Sequence, residues 1–77
     1  MTTDGVRQLL QTAPFVPFTI FLSANKSYRV EHPDFAFISK GGGVMALNLE
    51  GDAIALIDLM LATHIETHPP ASTATPA

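Results

Sequence analysis

The chain has no cysteine and no tryptophan, one tyrosine, and only four lysine or arginine residues. Without cysteine it can form neither a disulfide nor a thiolate metal site, and cysteine nucleophiles are excluded. That absence leaves the compartment open, because cysteine-free chains suit any location. Long apolar runs are also missing. The longest apolar-rich stretch, residues 53–62, contains Asp58 and is far shorter than the ~20 apolar residues a membrane helix needs. No leader pattern opens the chain, since Arg7 and Gln8 are followed by broken apolar stretches. These absences set the expectation of a cytoplasmic protein with no membrane partner.

Charge is scarce as well. Four basic side chains face seven acidic ones, and charged residues make up 14% of the chain against 47% hydrophobic. Seventy-seven residues suffice for one domain. So short a chain buries only about 60% of the surface its unfolded form exposes, which leaves the core marginal without help. Disulfides are excluded, so oligomerisation is the expected support. A low-charge surface points the same way, toward an apolar face covered by another copy of the chain.

Helical spacing comes first along the chain. Asp4 is placed to cap a helix over about residues 4–13, with Val6, Leu9 and Leu10 on one face. Pro14 ends it, and the two prolines of "APFVPF" make an extended connector in which Phe15 and Phe18 anchor the helix to the body. The period then changes to two. In "FTIFLSANKSYRVEH", Phe18, Ile20 and Leu22 alternate with Thr19 and Ser23, and Tyr28 and Val30 alternate with Ser27, Arg29 and Glu31. "SANKS" reads as the turn between two strands, with Asn25 best suited to a left-handed backbone. Pro33 in "HPDF" interrupts the ladder.

"FAFIS" and "VMALNL" read as further strands joined by "KGGG", and Gly51-Asp52 makes the next turn. For residues 53–62 a helix stays open, because Leu, Ala and Met are good helix formers. Strands are preferred, because Ile54, Leu56, Ile57, Thr63 and Ile65 suit a pleated surface. Asp58 then marks a bend or short helical turn and caps it by accepting main-chain hydrogen bonds, as a carboxylate in an apolar run must find partners. "PPASTATPA" has no core-forming residue and reads as a disordered tail. The expected architecture is mainly β: one domain over residues 1–68, a small, strongly bent five-stranded barrel of the SH3 or Sm-like kind with one N-terminal helix, and a tail over 69–77.

"THIETH" is the stretch that most resembles chemistry. A zincin helix needs Glu directly after the first His, but Ile65 follows His64 and Glu66 comes one later. On a strand, His64, Glu66 and His68 share a face, and the outer two are about 13 Å apart, too far to share one ion. The segment is therefore read as a closing strand with Thr63 and Ile65 inward, and no metal or cofactor is assigned. "KGGGVMA" lacks the Gly-Lys-Ser/Thr ending of a phosphate loop. Asp34, Glu50, Asp52 and Asp58 are scattered, with Asp34 suited to a turn after Pro33. No catalytic set is identified, and an enzyme is not expected. For nucleic acid, Lys26, Arg29 and Lys40 are the cations of the β region, and Phe21, Tyr28, Phe35 and Phe37 offer stacking faces.

The order of helix and strands, with the closing "ALIDLMLATHIE", resembles the Sm-like fold, which includes the bacterial RNA chaperone Hfq. That likeness implies a ring of subunits and RNA contacts at Lys26, Tyr28, Arg29 and Lys40. The chain also resembles a group of short bacterial proteins through "PFVPFTIFL", "VEHPDF" and "IDLMLATHIE", a likeness that implies no activity. The leading expectation is a non-enzymatic homo-oligomeric binding or assembly module that contacts its own copies or another protein through open strand edges. The second is an Sm-like RNA-binding ring.

Overall fold

The computed structural model describes residues 3–69; the expected tail, from residue 70 on, lies outside the described residues. Helix α1 (Thr3–Gln11) is followed by β1 (Phe18–Leu22), β2 (Lys26–Val30), β3 (Ala36–Ile38), β4 (Val44–Asn48), β5 (Ile54–Asp58) and β6 (Ala62–Thr67). Single 3₁₀ turns, Pro33–Phe35 and Leu59–Leu61, precede β3 and β6. The fold is mainly β, as expected, but the six strands among the described residues form two antiparallel three-stranded sheets, ordered β2-β1-β6 and β3-β4-β5. Among the described residues no strand ladder joins the sheets into a closed barrel.

Alternation decides what each strand buries. On β1, Phe18 and Ile20 face inward, and on β4, Met45 and Leu47 do the same from the opposite sheet. Val30, Ile57, Leu59, Ala62 and the helix residue Val6 complete one core, which contains no buried polar or charged side chain among the described residues. Each large side chain in it contributes about 1.5–3 kcal/mol. Leu9 and Leu10 of α1 pack against this core, and Phe15 lies 6.0 Å from Phe18, ring centroid to centroid, as the connector reading requires.

The helix is shorter than the expected 4–13. It ends at Gln11, where the Thr12 hydroxyl donates to the Gln8 carbonyl (2.7 Å) and Pro14 disfavours helical geometry at residue 13. Asp4 does not precede the helix as a cap. It sits in the first turn, where a carboxylate suits the positive end of the helix dipole. Thr3 donates its hydroxyl to the Gly42 carbonyl (2.6 Å) and Arg7 reaches the Ser39 carbonyl (3.3 Å), so α1 is tied to the β3–β4 turn. This explains "GGG" more narrowly than its composition does. Gly42 alone of the three has a positive φ (+84°), and a Cβ there would lie 3.3 Å from the Thr3 methyl.

The turn of residues 23–25 bends as expected at Asn25 (φ 59°), and Ala24 shares the left-handed conformation (φ 65°). Pro33 opens a 3₁₀ turn whose cap is the His32 side chain, accepting from the Asp34 backbone N–H at 3.2 Å. Asp34 makes no Asx turn, because the Ala36 N–H its side chain would accept is donated to the Pro33 carbonyl. In the stretch 53–62 the strand reading holds for β5, and helical geometry is confined to Leu59–Leu61. Asp58 caps that turn, its Oδ1 accepting from the Met60 N–H at 2.9 Å.

Ile20→Ala, at the centre of the core, is expected to destabilise the protein by about 2–5 kcal/mol, read as a lowered denaturant midpoint. Asp58→Ala removes a cap without opening a cavity and is expected to cost about 1 kcal/mol. A thermal melt unchanged in Asp58→Ala would contradict that role.

Candidate interaction surfaces

Each sheet has a second face that does not touch the core. On the first sheet the register sets Arg29, Thr19 and Glu66 in one row and Ser27, Phe21 and His64 in the next. Apart from Phe21 this face is polar, as the solvated side of an antiparallel sheet should be. The Phe21 and His64 rings stack with centroids 4.4 Å apart and planes 5° from parallel. Thr63 lies 3.1 Å from His64 Nδ1, and a Glu66 oxygen lies 4.0 Å from Nε2. His68 goes elsewhere, its Nε2 2.8 Å from the Thr19 hydroxyl. Thr63 does not face inward as expected. β6 shifts register against Phe21 and Leu22, leaving Thr63 exposed with its hydroxyl donating to the Phe21 carbonyl (3.2 Å). Among the described residues no three His, Asp or Glu side chains converge as metal ligands.

The four residues expected as RNA contacts do not form one patch. Tyr28 packs against the core on the inward side of β2. Arg29 points to the opposite face and pairs with Glu31. Lys26 is exposed at the start of β2, beside a hollow of about 330 Å³ that Phe21 and His64 also line. Lys40 belongs to the turn between β3 and β4 of the other sheet.

The second sheet presents a different outer face. Here the register sets Phe37, Ala46 and Leu56 in a row across the three strands, with Val44 beside Asp58 on one side of it and Asn48 beside Ile54 on the other. Asp58 is the single charge among these residues, and its carboxylate already caps the turn. The Asn48 amide is satisfied by the Gly51 and Ala53 carbonyls at 3.1 and 2.9 Å. Asp34, Phe35, Phe37, Ala46, Asn48 and Ile54 surround a hollow of about 270 Å³. The sequence carried a signal for this face in "FAFI", "VMAL" and "AIALI", which are apolar at both strand parities. Such runs belong to strands covered on both sides.

The chain matches no protein-family model, no curated protein and no solved structure. No helix among the described residues is long and apolar enough to cross a membrane.

The Phe21–His64 stack is expected to contribute about 0.5–1.5 kcal/mol. In Phe21→Leu the His64 ring protons should lose their upfield ring-current shift in the NMR spectrum, while those of His68 keep their positions.

Proposed function

We propose that this protein is a non-enzymatic binding and assembly module whose first partner is another copy of itself. The observation that carries the reading is the balance of apolar residues. Among the described residues, eight large apolar side chains are exposed while nine residues form the buried core. A monomeric surface seldom leaves so much unburied without using it for association. The histidines add support, since each has a local partner: His32 caps a turn, His64 stacks on Phe21 and His68 meets Thr19. In the same proposal the fold is an Sm-like barrel left open between its sheets and acting in the cytoplasm. Two features support the barrel reading. Both sheets share one core, and the Leu59–Leu61 turn carries the chain between them, its ends held by Leu59 N–H to Gly43 O and Ser23 N–H to Leu61 O, each 3.0 Å.

A second reading, an RNA-binding ring, draws on the hollow that Lys26 shares with the stacked Phe21 and His64. Exposed aromatic faces beside a cation suit single-stranded nucleic acid. Against it, Arg29 is paired with Glu31 and Tyr28 is turned toward the core.

Native mass spectrometry on protein purified without nuclease tests both readings, with absorbance recorded at 260 and 280 nm. The chain has no tryptophan and one tyrosine, so traces of nucleic acid would dominate that ratio. A nucleic-acid-free oligomer is the expected outcome. A ring carrying RNA, lost when Lys26 and Arg29 are both changed to alanine, would establish the second reading instead.

A further inference from the structure

We infer that two copies of the chain pack the outer faces of their second sheets against each other about a two-fold axis parallel to β4. This rests on the reading of the protein as a self-assembling module and assigns the surface involved. The two sheets of one subunit differ sharply on their outer sides, and only the second lacks the polar alternation of a solvated face. Phe37 is 69% exposed, Leu56 76%, Ile54 64%, Phe35 47% and Val44 42%. Together they offer about 600 Å² of apolar surface, taking ~200 Å² for a fully exposed large side chain. A stable interface of ordinary size takes about 800 Å² from each partner. Ala46, Asn48 and the strand ends supply the remainder.

The face is complementary to itself. The hollow runs from Phe35 and Phe37 across Ala46 and Asn48 to Ile54, while Leu56 protrudes from β5 outside its lining. Rotation about an axis parallel to β4 sets β5 of one copy over β3 of the other. Leu56 of each copy then packs over Phe37 and the hollow beside it in the other copy, and the reverse contact forms by symmetry. Ala46 meets its own copy at the centre, where its small side chain lets the flanking large ones interdigitate at the ~10 Å spacing of stacked sheets.

Charge is sparse on the face, which suits an apolar partner such as a second copy. The carboxylates bordering each face are Asp58 and, at the rim of the hollow, Asp34, and the rotation sends each to the opposite margin from its own copy, about 10 Å apart across two strand spacings. Neither is buried or set against the other. The strand edges compete poorly as the primary contact. β3 has only three residues, while β2 and β6 carry Lys26, Arg29, His64 and Glu66, side chains that discourage edge pairing. β5 is the longer of the two apolar edges of the second sheet, and it borders the same face.

The test is sedimentation equilibrium on the full chain, comparing wild type with Leu56→Lys, Leu56→Asn, Phe37→Glu and Glu66→Lys. Leu56 and Phe37 are exposed in the single subunit, so circular dichroism should show the variants folded. The expected result is a wild-type dimer, unchanged in Glu66→Lys. In Leu56→Lys and Phe37→Glu the dimer dissociation constant should rise by about 100-fold or more, since each sets an unpaired charge in the apolar contact. Leu56→Asn should weaken the dimer by a smaller factor. A wild type that assembles, with all four variants keeping its mass, would overturn the assigned surface and leave self-assembly standing. A wild type that stays monomeric at ~100 μM would overturn both.

Discussion

The domain depends on one constraint: two three-stranded sheets must share a single small core. Phe18, Ile20 and Val30 from the first sheet and Met45, Leu47 and Ile57 from the second close that core, with Val6 of the helix sealing it. All of these are at most 2% exposed, and no polar side chain is buried with them among the described residues. Dispersion and water exclusion therefore hold the sheets together without any directional bond across the middle. Directional bonds are found at the corners instead.

Those corners account for most of the conspicuous residues. Gly42 has the backbone conformation and the clearance that let Thr3 approach, and so determines where α1 lies. Asp58 caps the 3₁₀ turn that carries the chain from β5 to β6, and His32 caps the one before β3. Asp58 and His32 each accept a main-chain N–H freed where a strand ends, and Asn48 donates to the Gly51 and Ala53 carbonyls of the next turn. Residues that look chemical in the linear chain thus have local architectural work, and His64, stacked on Phe21, extends the pattern to a strand.

What remains is the contrast between the outer faces. The first sheet shows water Thr19, Ser27, Arg29, His64 and Glu66; the second shows it Phe37, Val44, Ala46, Ile54 and Leu56. Among the described residues, Phe37, Val44, Ile54 and Leu56 of the second face stay exposed. The small size of the domain and its apolar outer sheet are two consequences of one shortage of covering chain. The proposed association with another copy would cover that sheet.

Much of this was legible in the sequence, and the limit has a physical cause. Alternation in "FTIFL" and "KSYRV" predicts the first hairpin with its inward side chains, Asn25 marks its turn, and Asp58 inside an apolar run announces the cap. Those inferences use local rules, in which neighbours along the chain are neighbours in space. Local rules set Tyr28 and Arg29, assigned together as RNA contacts, on opposite faces of β2, but could not decide which of the two meets the core before β2 pairs with β1. Nor could they decide that the strand set divides into two sheets, that Gly42 alone among three glycines faces the helix, or that Phe37, Ala46 and Leu56 fall in one row. Composition and period determined a mainly β domain short of charge; long-range register decided which apolar residues it leaves uncovered. Side-chain direction alternates with every residue, so only the pairing of distant strands shows which parity meets the core.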